Sequence, residues 1–169
     1  MTHLVLVGLM AAGKTTVGRV VADRLGWPLV DSDEVIERAT GRTVREIFRS
    51  DGEEAFRVLE TAALKDALAA PVPTVIAAAG GVVLRTENRE ALKGADARVV
   101  WLRADPGVLA HRVGSGAHRP LLDDDPLGTL QRMFAERDPL YREVADDVVT
   151  VDHRSIDDVA GDVLQVVER

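Results

Sequence analysis

Near the amino terminus, Gly8-Leu9-Met10-Ala11-Ala12-Gly13-Lys14-Thr15 sets two glycines, a lysine and a threonine in the spacing G-x-x-x-x-G-K-[ST]. The chemistry open to that pattern is phosphate binding. The glycines let backbone N–H groups turn inward around an anion, and the helix that follows adds its dipole. The lysine carries a positive charge to the β and γ phosphates, and the threonine hydroxyl is placed to ligate magnesium. Gly8, Ala11, Ala12, Gly13, Lys14, Thr15 and Thr16 are therefore candidates for holding ATP, with Lys14 a candidate catalytic cation and Thr15 a candidate Mg2+ ligand.

Further along, Leu29-Val30-Asp31-Ser32-Asp33 ends an apolar run in two acids. If the strand persists that far, alternation points both carboxylates the same way. One acid would then organise the metal through water, and the other would meet a hydroxyl to be phosphorylated. The alternative is that Asp33 only caps the next helix. Arg57 stands four residues after Glu53 and three before Glu60, which suits either an anion site or a surface ion pair. Ala79-Gly80-Gly81 at the end of a strand allows backbone to approach a ligand closely. Segment 114–125 opens with Gly114 and Gly116, lacks regular periodicity and carries Arg119, the pattern of a lid with a cationic tip. Arg137 precedes Asp138-Pro139, so the proline is expected to break the helix and leave Arg137 near an element end. His3, His111, His118 and His153 show no ligand spacing, and none is assigned to a metal.

Five apolar segments position these residues, near 3–7, 28–31, 72–78, 97–102 and 147–151. Helical patterns fall between them, at about 14–25, 33–40, 43–49, 53–69, 87–92, 106–113, 126–136, 139–145 and 156–168. Asp105-Pro106 and Asp125-Pro126 read as helix starts and Ser155 as a third cap, with Gly41, Gly52 and Gly94 as stops. Strands apolar on both faces and separated by helices imply a parallel sheet covered on both sides. Ligands in such sheets bind at the carboxyl ends of the strands, where the acids, glycines and arginines above are found.

Composition narrows the classes. The 169 residues carry 21 basic and 28 acidic side chains, a net charge of −7 that argues against nucleic acid as the main partner. The chain has no cysteine, which excludes disulfide and thiolate chemistry. No apolar run approaches the ~20 residues of a membrane span, and the amino terminus lacks a signal peptide's basic region. A single domain over 1–169, monomeric and cytoplasmic, without a membrane partner, is the expectation.

Taken together, GLMAAGKTT, LVDSDEVIE, IFRSDGEEAFR, AGGVVL, HRPLL and ERDPLYREVA resemble the shikimate kinase family over nearly the whole chain, in order and in approximate spacing. The resemblance implies a three-layer α/β/α sandwich around a five-stranded parallel sheet, with a substrate-binding segment at about 32–61 and a lid at about 114–125. It implies transfer of the ATP γ-phosphoryl group to the 3-hydroxyl of shikimate, with Mg2+, on the route to chorismate and aromatic amino acids. By the same resemblance, Asp31 is the water-mediated magnesium partner. Asp33 holds the shikimate hydroxyls and is the candidate proton acceptor. Arg57 and Arg137 grip the substrate carboxylate, with Gly80 and Gly81 lining its other side. Arg119 reaches the phosphates, and Arg112 and Arg154 frame the adenine. Two positions depart from the family: Ala79 where it usually has glycine, and Ala11 where glycine is frequent. A left-handed backbone at Ala79 would cost about 1–2 kcal/mol. The other readings are a gluconate kinase or related sugar-acid kinase, a nucleoside-monophosphate kinase, and a non-catalytic nucleotide-binding module. Paired arginines favour a carboxylate over a neutral sugar, because guanidinium forks match it bidentately. The acids at 31 and 33 disfavour a phosphate acceptor.

Overall fold

The computed structural model describes residues 2–113 and 125–169. Strands β1 (His3–Val7), β2 (Leu29–Asp31), β3 (Val75–Ala77), β4 (Ala97–Arg103) and β5 (Asp147–Thr150) form one parallel sheet in the order β2-β3-β1-β4-β5. The described helices are α1 (Lys14–Leu25), α2 (Ser32–Thr40), α3 (Val44–Asp51), α4 (Glu53–Leu68), α5 (Thr86–Gly94), α6 (Pro106–Arg112), α7 (Pro126–Val144) and α8 (Ile156–Val167).

Register shows how the layers are built. Leu6 pairs with Val100 and Val7 with Trp101, so these two pairs face opposite sides of the sheet. On the Leu6 side lies α1, brought close by Gly18, where a Cβ would come within 3.1 Å of Leu29 Cδ1 and 3.4 Å of Leu6 Cδ1. On the Trp101 side lies α7, whose Tyr141 ring stacks on Trp101 with centroids 5.5 Å apart. Helix α8 packs on α1, and α5 on α7 and β4. The main core is these two aliphatic interfaces; β1, fully buried in the middle of the sheet, belongs to both. A second, smaller cluster of Ile36, Ile47, Phe56 and Ala63 holds α2, α3 and α4 together apart from the main core.

Local chemistry fixes the boundaries. Asp105, Asp125 and Ser155 accept from the backbone N–H of Gly107, Gly128 and Asp158, so all three expected caps form. Thr43 and Glu46 make a reciprocal capping box on α3. Gly94 is the last residue of α5 rather than a left-handed stop beyond it. The outer strands β2 and β5 are not apolar and buried on both faces as expected, because each has a neighbour on one edge only.

Pro139 does not break the helix. Helix α7 runs unbroken through it, and Arg137 lies mid-helix, 3% exposed. Pro139 and Ala135, whose carbonyl loses its N–H partner, both lie on the exposed face, where water can satisfy that carbonyl. The opposite face buries Leu130, Met133, Arg137, Tyr141 and Val144, so packing holds the turns on either side of the proline.

Candidate active site

The first segment of the site is the turn between β1 and α1. Gly8 (φ 149°) and Gly13 (φ 97°) are left-handed, and a Cβ on Gly8 would meet the Leu102 carbonyl oxygen at 2.5 Å. Both conformation and space therefore demand glycine at position 8. Ala11 is also left-handed, at φ 66°. The strain anticipated at Ala79 is instead at Ala11, since among the described residues only Ala11 and His153 are non-glycine with positive φ. Lys14 Nζ donates to the carbonyls of Gly8 (2.7 Å) and Leu9 (2.9 Å), folded over the turn, and Ala12 N–H closes the turn on Leu9 O. Thr16 is exposed at the start of α1. Arg112 donates to Ala11 O at 3.3 Å, which places the end of α6 over the turn. Arg154 pairs with Asp162 at 2.8 Å and donates to Thr150 O, just before Ile156, which abuts Gly13.

The second segment departs from expectation. Strand β2 ends at Asp31, and Asp33 already lies in the first turn of α2. The helix cap is Asp31, whose Oδ1 accepts from Glu34 N–H, while Thr15 Oγ1 donates to its Oδ2. Asp31 and Asp33 nevertheless line one cavity of about 360 Å3, together with Thr15, Arg57, Ala79 and Arg137. The cavity sits at the carboxyl ends of β2 and β3 and is roofed by the α2–α3 segment.

Its far wall is the arginine pair. Arg57 is no surface ion pair: its side chain is 8% exposed, bonded to Glu60 at 2.9 Å and Glu53 at 3.0 Å, with its guanidinium 5.4 Å from the Phe56 ring. Gly81 has ordinary φ (−88°), yet a Cβ there would lie 2.1 Å from Arg57 Nη1. Close approach, rather than backbone freedom, requires that glycine. A Cβ on Gly80 would lie 3.6 Å from Arg137 Nη1, so both arginines pack against the same short backbone segment. Ala79 is buried and adds its methyl to the cavity wall.

Two site residues were not singled out from sequence. Glu60 is 1% exposed; burial pushes its carboxyl up to about 7, with the Asp33 charge reinforcing the rise and Arg57 and Arg137 opposing it. The spacing from Arg57 was visible, but burial was not. Tyr141 donates to the Gly80 carbonyl at 2.5 Å, and burial pushes its phenol up to about 12. Arg119 and all of the expected lid except Asp125 lie outside the described residues.

Comparison with known proteins shows the family. A family model described as shikimate kinase matches residues 10–168. The chain belongs to the shikimate kinase family. It is 48% identical to a shikimate kinase of Symbiobacterium thermophilum, over 96% of this chain and 94% of the relative. A solved shikimate kinase from Acinetobacter baumannii, in complex with shikimate, superposes with a TM-score of 0.95 at 38% identity, covering 99% of this chain and 93% of that one. A gluconokinase from Sinorhizobium meliloti reaches a TM-score of 0.60 at 19% identity over 99% and 92% of the chains, a likeness of fold alone. As a shikimate kinase family member the chain is an ATP-using phosphotransferase.

Proposed function

We propose that the chain transfers the γ-phosphoryl group of ATP to the 3-hydroxyl of shikimate, with the acid held in the cavity between Asp33 and the arginine pair. The observation that carries the substrate is that pair. Two buried guanidinium groups from different helices face one cavity, and a buried carboxylate needs such compensation. A neutral sugar does not; gluconate is itself a carboxylate, and the family match rather than the pair sets it aside.

In this reading Gly8, Ala11, Ala12, Gly13 and Thr16 offer backbone and side-chain donors to the ATP phosphates, and Lys14 swings from the turn carbonyls onto the transferring group. Arg112 and Arg154 border the adenine. Arg57, Arg137, Gly80 and Gly81 fix the carboxylate end of the acid, so the hydroxyl end points to Asp33. Asp33 orients that hydroxyl and takes its proton; it need not be a strong base, because phosphoryl transfer proceeds through a loose transition state. Holding both reactants in line supplies much of the rate.

The Thr15 hydroxyl beside the Asp31 carboxylate is an oxygen donor set that suits Mg2+, an ion that keeps several waters and shares substrate phosphates. Bound there, Mg2+ would neutralise charge on the phosphates. Arg119, by family resemblance, adds a positive charge over the phosphates. The substrate segment at about 32–61 corresponds to α2, α3 and the start of α4, with their own small core. A single domain over 1–169, a lid at about 114–125, a monomeric state and a cytoplasmic location complete the proposal. No described helix is long and apolar enough to cross a membrane.

The deciding test is ADP release by purified protein with MgATP, with and without shikimate, using quinate and gluconate as controls. Release that depends on shikimate supports the reading. Tight ATP binding with no acid-dependent release would leave a nucleotide-binding module.

A further inference from the structure

The arginine pair is already partly compensated. Arg57 and Arg137 face two carboxylates, Glu60 on α4 and Asp33 on α2. Glu53 also touches Arg57 but is 52% exposed, so water screens most of its charge. On the α7 side the facing groups are Arg137 and the neutral Tyr141, and Ala79–Gly81 contributes no charged side chain. Asp33 is exposed like Glu53, and Arg45, Glu34 and Glu37 also line the cavity, so Glu60 is the one buried carboxylate beside the arginine pair among the described residues. A carboxylate entering between the arginines would share Arg57 with the buried Glu60 carboxylate, and two like charges at one site disfavour joint ionisation. Uncompensated buried charge is costly, and a titratable group normally neutralises instead.

Glu60 is the group placed to do so. Its Oε2 holds Arg57 Nη1 at 2.9 Å, whereas its Oε1 is buried with no hydrogen-bond partner. A proton on Oε1 leaves the Arg57 contact intact. It also turns that oxygen into a donor, for which a bound carboxylate supplies an acceptor. Asp33 is needed at the hydroxyl end and is exposed to solvent.

Resting on the shikimate reading of the site, we infer that Glu60 couples acid binding to protonation: as the substrate carboxylate occupies the arginine pair, Glu60 takes up a proton from solvent. One O–H bond forms on Glu60, the proton comes from solvent, and the ligand stays ionised. Because burial pushes the free carboxyl up to about 7, the effect falls near neutral pH.

The test is calorimetric titration of the whole protein with shikimate at pH 7.5, in two buffers of different ionisation enthalpy. Proton uptake on binding is expected as an enthalpy that differs between the two buffers in proportion to their ionisation enthalpies. The same uptake predicts severalfold weaker shikimate binding at about pH 8.5 than at about pH 6.5. Glu60→Gln, a neutral mimic of the protonated group, is expected to bind shikimate with a flat pH profile. Wild-type binding with no buffer dependence would overturn the inference alone, as would a Glu60→Gln profile as steep as the wild type. If the variant fails to fold, the two-buffer result on the wild type decides. Failure of shikimate to bind at all would overturn the substrate reading and the coupling with it.

Discussion

At the scale of single residues, the site depends on where side chains are missing. Gly81 is required by the Arg57 guanidinium, which lies where a Cβ would be. Because the clashing atoms are the far end of a flexible side chain, Gly81→Ala should fold but displace Arg57. The expected result is a roughly tenfold to hundredfold higher KM for shikimate, the loss of one or two charge-assisted hydrogen bonds, with the KM for ATP within a few-fold. Steady-state kinetics in both substrates check this, and an equal rise in both would contradict it. Ala11 is the opposite case, a methyl held in left-handed backbone. Relief of about 1–2 kcal/mol of strain, less the ~0.5–1 kcal/mol entropy penalty of glycine, predicts that Ala11→Gly stabilises modestly. Denaturant unfolding measures it, and a loss of stability would mean the turn is not strained there.

Elements show how far the sequence could be read. The five strands and the phosphate-binding turn were legible because an aliphatic strand, a glycine-lysine turn and an amphipathic helix leave marks within a few residues. Pro139 was misread because its effect depends on which face it occupies, and that is set by packing on Trp101 and Gly80 rather than by neighbours in sequence. The end of β2 at Asp31 agrees with the apolar segment at 28–31, but the cap falls on Asp31 rather than Asp33, because one residue serves as both strand end and helix cap. Glu60 was visible as a helix-spaced partner of Arg57, but its burial depends on elements distant in sequence that pack on α4. If α7 tolerates the proline through packing, Pro139→Ala should restore a helix hydrogen bond at an exposed position. The expectation is a gain of about 1–3 kcal/mol. Thermal melts with unchanged kcat would support it, and a lower melting temperature would show that the proline is needed where it stands.

For the whole molecule, the order β2-β3-β1-β4-β5 places the phosphate-binding turn at the centre of the sheet and the acid cavity beside it, at the ends of β2 and β3. Two ligands in adjoining sites of one folded unit should each stabilise it by mass action. At one hundred times its dissociation constant a ligand contributes about 2.7 kcal/mol, which for a chain of this size is roughly 5–11 °C in Tm. Thermal shift with ADP alone, shikimate alone and both together should show two increments. An increment with ADP and none with shikimate would remove the acid from the proposed cavity.

The hydroxyl of Tyr141 reaches the carbonyl of Gly80 across 61 residues of chain. Contacts so distant along the chain form late, because the intervening loop must first be closed. The acid-binding wall is thus a marker of the long-range docking of α7. A chain that has regained its helices but has not yet seated α7 would be spectroscopically near-native and blind to shikimate. Recovery of acid binding during refolding therefore reports the seating of α7 on the strand ends.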